Sequence, residues 1–394
     1  MTHFDPDVLW NPAWEPQSAA GPELDRVAAF HRSIDGFHPS PLVQLASVST
    51  EAGVRRVYAK HERDRLGLPS FKVVGASWAV AVAVADHLGD APYRTFDELR
   101  TASAAATGLR LSTATDGNHG RAVAHMARLL GLRSRIFVPS DMATARVEAI
   151  RGEGAEVVVV PATYDDTVEW AARESQRAQA DGTSDLLVSD TSWEGYTRIP
   201  DAVVEGYSTI FAETREQLAD LTESAEAAGR DHVDVAVVPA GVGAFASAAV
   251  RYLRDDHCSV VAAEPVAADC VWRSLAAGRR VTVPGPHASG MAGLNCGEVS
   301  WDAWPHLQRG VRAAVRVTDL EAELAVRDLA AAGVDASESG AASLAGLRRL
   351  RLDSRAGSLL RPSSTIVLFV TEGVTDAAAH HVIVHDRTHA EEAS

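Results

Sequence analysis

Lysine and cysteine are scarce in this chain, and long apolar or basic runs are missing. Among 37 basic residues the only lysines are Lys60 and Lys72. A guanidinium keeps its proton and cannot form an imine, whereas a lysine amine can be deprotonated in a suitable pocket and attack an aldehyde. Each lysine is therefore a candidate for chemistry, and its surroundings must decide between them. The three cysteines, Cys258, Cys270 and Cys296, lack CxxC spacing and the density of a disulfide scaffold, so they read as reduced thiols and argue against a structural zinc site. The net charge of -16, with no run of Lys and Arg to offset it, argues against nucleic acid as a partner. No apolar run reaches membrane-spanning length, and Met1 to Trp10 carries Asp5 and Asp7 where a leader would have basic residues. A cytoplasmic protein without a membrane partner is the expectation.

What is present is an ordinary globular composition, 46% hydrophobic and 23% charged, on a chain of 394 residues. That length exceeds one usual core and predicts two domains. Short β-branched or apolar runs at Arg135 to Pro139, Glu156 to Pro161, Asp234 to Pro239, Ser259 to Glu264 and Thr365 to Thr371 alternate with helical patterns. The helical patterns cover Arg121 to Leu130, Ala143 to Arg151, Thr167 to Ala180 and Glu321 to Ala332. Such alternation predicts an α/β fold with mainly parallel sheets, whose ligands sit in the Gly-rich turns at strand ends. Asp90 to Ala106 reads as a surface excursion with some helix. The end of the chain, with His380, His381, His385 and His389, resembles a metal tract only superficially and reads as a last strand and a frayed tail.

Three strings carry chemistry. Ser70-Phe71-Lys72-Val73-Val74-Gly75-Ala76 follows a predicted strand at Arg56 to Lys60 and opens a helix, which places Lys72 at a loop-to-helix junction. Partial desolvation and the positive helix end there both favour a neutral, nucleophilic amine. Gly75, one turn on, lets a cofactor or another backbone approach closely. Thr115-Asp116-Gly117-Asn118-His119-Gly120 ends a strand and begins a helix, offering amide and backbone donors to an anion. Pro239-Ala240-Gly241-Val242-Gly243 is a strand-to-helix turn whose amides can surround a phosphate, without the pattern of a nucleotide triphosphate or dinucleotide site. Imine, ring-oxygen partner and phosphate cradle are the anchors that pyridoxal 5'-phosphate needs. Each string alone also fits a blander role, as a surface lysine, a helix cap or a tight turn.

The order SFKVVGA, TDGNHGR, AGVGAF resembles fold-type II pyridoxal-phosphate enzymes, the group of serine and threonine dehydratases and cysteine synthase. Asp116 to Arg121, Asp190 to Tyr196, Met291 to Glu298 and Thr371 to Asp376 resemble the diaminopropionate ammonia-lyase family within it. The likeness runs over most of the chain, roughly 11–376. It implies two αβα domains, a large cofactor-binding one from 1–78 and 190–394 and a small one from 79–189 that closes over substrate, and a homodimer. It implies a lyase that converts 2,3-diaminopropionate to pyruvate and ammonia. By resemblance Lys72 is the Schiff-base lysine, Asn118 a ring-oxygen partner, Ala240, Gly241, Val242 and Gly243 the phosphate loop, and Thr371 the neutral partner of the pyridine nitrogen. Asp116 and Asp190 match bases toward opposite enantiomers, and with Thr115 they are expected to hold the amino-acid substrate. Lys60 reads as a strand residue paired with an acid. Val374 and the Lys60-His61-Glu62 string depart from the family pattern. They keep open an elimination or β-replacement enzyme acting on another β-substituted amino acid. A binding protein that retains the fold is the third reading, and the intact Lys72, Asp116 and Asp190 speak against it. Glu338 to Ala341 either shapes the pocket or caps a helix.

Overall fold

The computed structural model describes residues 5–16, 25–89, 93–223, 232–253 and 258–385; His389 lies outside them. Among these residues eleven strands form two sheets. The first strands are β1 (Val8–Trp10), β2 (Leu42–Gln44), β3 (Arg56–His61), β4 (Arg110–Ala114), β5 (Arg133–Pro139), β6 (Glu156–Val160) and β7 (Asp185–Leu187). The later ones are β8 (Val235–Pro239), β9 (Ser259–Pro265), β10 (Val311–Val317) and β11 (Thr365–Val370). The large sheet has the order β1-β10-β9-β8-β11-β3-β2, and the small one β6-β5-β4-β7. Every pairing is parallel except those of the edge strands β1 and β2. Parallel strands covered by helices on both faces are apolar throughout, and β8 and β11 are buried along their whole length.

The helix Lys72–Leu88 packs against the helix Arg198–Gly206 at backbone contact distance. A Cβ on Gly206 would lie 2.6 Å from the Val74 carbonyl oxygen, and one on Gly75 would lie 2.6 Å from Cε1 of Tyr207. The close approach expected at Gly75 is thus made by a neighbouring helix. At the start of this helix the segment before Lys72 is tied to the end of β11. Phe71 N–H donates to the Thr371 carbonyl (3.1 Å) and Gly373 N–H to that of Pro69 (2.9 Å). Lys72 is thereby held beside the C-terminal end of the sheet, where open α/β folds present ligands.

Lys60, on β3, is fully buried in a charge network. Its ammonium donates to Glu213 (2.8 Å) and the Ser40 carbonyl (2.8 Å), and Arg65 pairs with both Glu62 and Glu213. Two cations face two carboxylates, so each buried charge is compensated. Burial pushes the Lys60 pKa down, against the pull of Glu213. The lysine assigned to an ion pair is therefore structural. Cys258, Cys270 and Cys296 form no disulfide among the described residues.

The chain end differs from the sequence expectation. Ala377–His385 is a helix rather than a strand. Asp376 accepts from the amides of Ala378 and Ala379 (3.0 Å each), and this cap together with the alanine run outweighs the β-branched Val382, Ile383 and Val384. Among the described residues no group of His, Cys, Asp and Glu has the arrangement of a metal site, and no helix is long and apolar enough to cross a membrane.

Candidate active site

Lys72, Asp116, Asn118, Asp190, Gly241, Val242, Gly243 and Thr371 line one cleft. They arrive from both sheets. Lys72 and Thr371 come from the tied junction beside β11, and the 241–243 turn from the end of β8. Asp116 and Asn118 follow β4, and Asp190 follows β7, the neighbour of β4.

The amine of Lys72 lies 2.7 Å from Oδ2 of Asp190. Burial works against charge on the lysine, but the Asp190 carboxylate, with Tyr207 and Asp116 behind it, outweighs this and raises its pKa. The pairing with Asp190 favours the charged form of the unmodified amine. That corrects the expectation of a neutral amine: the desolvation anticipated from the junction is present, and the paired carboxylate overrides it. Asp190 in turn is pushed up by burial, but His119 and Lys72 bring it down to about 2. The His119 ring shows one nitrogen, Nδ1, to Asp190 at 3.8 Å and gives the other to the Val188 carbonyl (2.8 Å). Asp116, by contrast, has its pKa raised by burial, which Lys72 and Arg146 only partly offset.

Thr115 does not line the cleft. Its hydroxyl accepts from the amides of Gly117 (2.9 Å) and Gly120 (2.9 Å), folding the turn that presents Asp116 and Asn118. Ala240 is also set back, its amide spent on the Ala263 carbonyl (2.9 Å). The amides of Gly241, Val242 and Gly243 have no acceptor among the described residues, and they precede the helix Ala244–Tyr252. Three unspent donors at a helix N-terminus suit a phosphate. The turn leaves little room for a side chain at either glycine: a Cβ on Gly241 would come within 3.1 Å of Cys296 Sγ, and one on Gly243 within 2.5 Å of Leu307 Cδ1.

Several wall residues escaped the sequence reading: Tyr164, Tyr207, Cys296 and Glu372. Glu372 accepts from the Asn118 amide and from Ser337 Oγ, which leaves one Asn118 N–H for a ligand. Burial raises its pKa. Its signal was its place beside Thr371; Tyr164, on a distant helix, had none. Of the two roles left open for Glu338 to Ala341, the structure shows the pocket one, since the helix cap is Ser337 just before the string. The string begins the helix Glu338–Leu352, and Ser339 reaches the cleft while accepting from the Gly293 amide (3.1 Å). A reactive amine, a donor turn for phosphate and an amide and a hydroxyl for the ring fit a phosphorylated pyridine aldehyde.

Comparisons with known proteins agree. The sequence profile described as pyridoxal-phosphate dependent enzyme matches residues 34–372. The diaminopropionate ammonia-lyase of Escherichia coli K12 is 35% identical over 377 residues, 92% of this chain and 91% of that one. The crystal structure of the E. coli enzyme in complex with D-serine superposes with a TM-score of 0.85 at 30% identity, covering 98% of both chains. That of its complex with an aminoacrylate-PLP azomethine reaction intermediate gives 0.83 at 30%, covering 98% of this chain and 99% of the other. A lysine in a donor-lined cleft and a likeness along nearly its whole length lead to one conclusion: this chain belongs to the fold-type II pyridoxal-phosphate dependent enzymes, in the diaminopropionate ammonia-lyase family.

Proposed function

We propose that the chain is a pyridoxal-phosphate-dependent ammonia-lyase that converts 2,3-diaminopropionate to pyruvate and ammonia by α,β-elimination. The observation that carries this reading is the 2.7 Å contact between Lys72 and Asp190 in a cleft that also presents Asp116 and three unspent amides. Lys72 would hold the cofactor covalently, the 241–243 amides its phosphate, and Asn118 and Thr371 its ring. When bound, the cofactor withdraws electrons from the substrate Cα and acidifies its proton.

The chain's own groups do the rest. Asp190 removes the Cα proton of one enantiomer, the L-form, and Asp116 that of the D-form. Both are carboxylates on loops that follow adjacent strands, so substrate sits between them. The Lys72 amine, within hydrogen-bond reach of Asp190, can give a proton to the leaving β-nitrogen and take in its place the one that Asp190 has removed. Tyr164 and Tyr207, whose phenol pKa values burial raises, stay protonated and line the cleft without adding charge. The segment 79–189 forms the small domain that closes over substrate, and the enzyme works in the cytoplasm as a homodimer.

The test is steady-state pyruvate release with cofactor supplied. Both isomers of diaminopropionate should be turned over. Asp190→Asn should cut turnover of the L-isomer to a small residual rate and spare much of that of the D-isomer; Lys72→Ala should abolish both and remove borohydride labelling. Pyruvate or a replacement product from serine, threonine or O-acyl-serine alone would assign the cleft to another β-substituted amino acid.

A further inference from the structure

The loop that carries Asp190 has no regular secondary structure between β7 and the helix Arg198–Gly206, yet Asp190 is buried and aimed at the Lys72 amine. Something must hold it. On one side the Tyr196 hydroxyl donates to the Leu187 carbonyl (2.7 Å) and accepts from the Ser189 amide (3.2 Å), closing the loop base. On the other side stands a closed ring of hydrogen bonds between residues more than a hundred positions apart. The Ser192 amide donates to Ser300 Oγ (2.9 Å), Ser300 Oγ donates to Asp302 Oδ1 (2.9 Å), and the Asp302 amide donates to Ser192 Oγ (2.9 Å). Ser192 Oγ also donates to Asp302 Oδ1. Both hydroxyl protons are spent and the carboxylate oxygen accepts twice.

The same segment reaches the phosphate turn. The Ser300 amide donates to the Val242 carbonyl (2.9 Å), and the Trp301 amide to that of Ser192 (3.3 Å). Ser192 and Ser300 are almost wholly buried. One short segment thus grips the base loop with side chains and backbone and the phosphate turn with its backbone.

We propose that Ser192, Ser300 and Asp302 are positioning residues that fix Asp190 relative to the phosphate turn for removal of the L-substrate proton. The proposal rests on Asp190 acting as the base for the L-isomer. A base shifted by about 1 Å loses on the order of a hundredfold in rate, so a clamp two residues away has kinetic weight while touching no reacting atom. The D-isomer, served by Asp116 on another strand, does not depend on it.

The test uses the holoenzyme and measures kcat and KM for both isomers in Ser300→Ala, alone and combined with Asp190→Asn. Ser300→Ala removes two of these side-chain hydrogen bonds and keeps the amide on Val242. The expected result is a fall of about tenfold or more in kcat for the L-isomer, a change of about twofold or less in KM and in D-isomer turnover, and no further loss when Asp190 is already Asn. Asp302→Asn, which keeps the shape and one acceptor, should give the same selective pattern in weaker form, and it decides the matter if Ser300→Ala fails to fold. Equal losses with both isomers, or a loss that multiplies with that of Asp190→Asn, would overturn the clamp while leaving the two-base reading intact. Undiminished L-turnover in Asp190→Asn would overturn the two-base reading, and the clamp with it.

Discussion

Asp190 and Asp116 reach the cleft from loops that follow the adjacent strands β7 and β4, and their surroundings pull their proton affinities apart. Burial disfavours charge on both. For Asp190 its neighbours His119 and Lys72 win and the pKa falls to about 2. For Asp116 burial wins and the pKa rises. A base works only when deprotonated, so its contribution is lost as pH falls through its pKa. The acid limb of kcat/KM for the D-isomer is therefore expected at higher pH than that for the L-isomer. Parallel pH-rate profiles for the two enantiomers measure this. Coincident limbs would show that one group serves both faces.

At the scale of elements, the turns that matter are glycine turns, and Gly243 is the most demanding. It has a φ of 87°, in the left-handed region, and a Cβ there would lie 2.5 Å from Leu307 Cδ1. Gly243→Ala thus combines backbone strain with a clash that must move the phosphate turn. Cofactor affinity should fall by at least tenfold, read from absorbance titration, together with a lowered melting temperature. Gly278→Ala, where φ is 66° and nothing lies within 4 Å, is the control. It should cost about 1 kcal/mol of stability and leave cofactor binding unchanged. Elements of this kind were legible because strand, turn and helix are contiguous: β4 with 115–120, β8 with 239–243, and the junction at Lys72. The short antiparallel edge strands β1 and β2, three residues each, were not, since such segments have too little periodicity to read and owe their pairing to distant partners. The same limit hid Glu372 beneath Asn118, 254 positions away, and the clamp behind Asp190. The lysine at position 72 was readable as a candidate, but its charge was not, because the carboxylate that sets it arrives from another sheet.

At the scale of the whole molecule, buried charge is handled in two ways. The network of Lys60, Arg65, Glu62 and Glu213 is balanced, cation against anion. Glu264, at the end of β9, is in no ion pair among the described residues; Arg316, opposite it on β10, is paired with Asp7 and Asp269. The Glu264 oxygens accept from the amides of Val271 (2.8 Å) and Trp272 (2.7 Å), which begin a helix. Burial nevertheless raises its pKa to about 8, with Asp269 adding to the rise. The folded state therefore keeps a proton that the unfolded chain releases above about 4.5. Between those values the folded state binds more protons, so global stability falls as pH rises, and the contribution present below about 4.5 is lost by about 8. Glu264→Gln, which cannot ionise, removes this dependence. Relative to the parent, the variant should gain stability from pH 5 to pH 8, by several kcal/mol at most. Denaturant unfolding of both proteins across that range measures the difference. A difference that stays flat with pH would show that the two amide donors hold Glu264 ionised in the fold, as they do for a carboxylate at an ordinary helix cap.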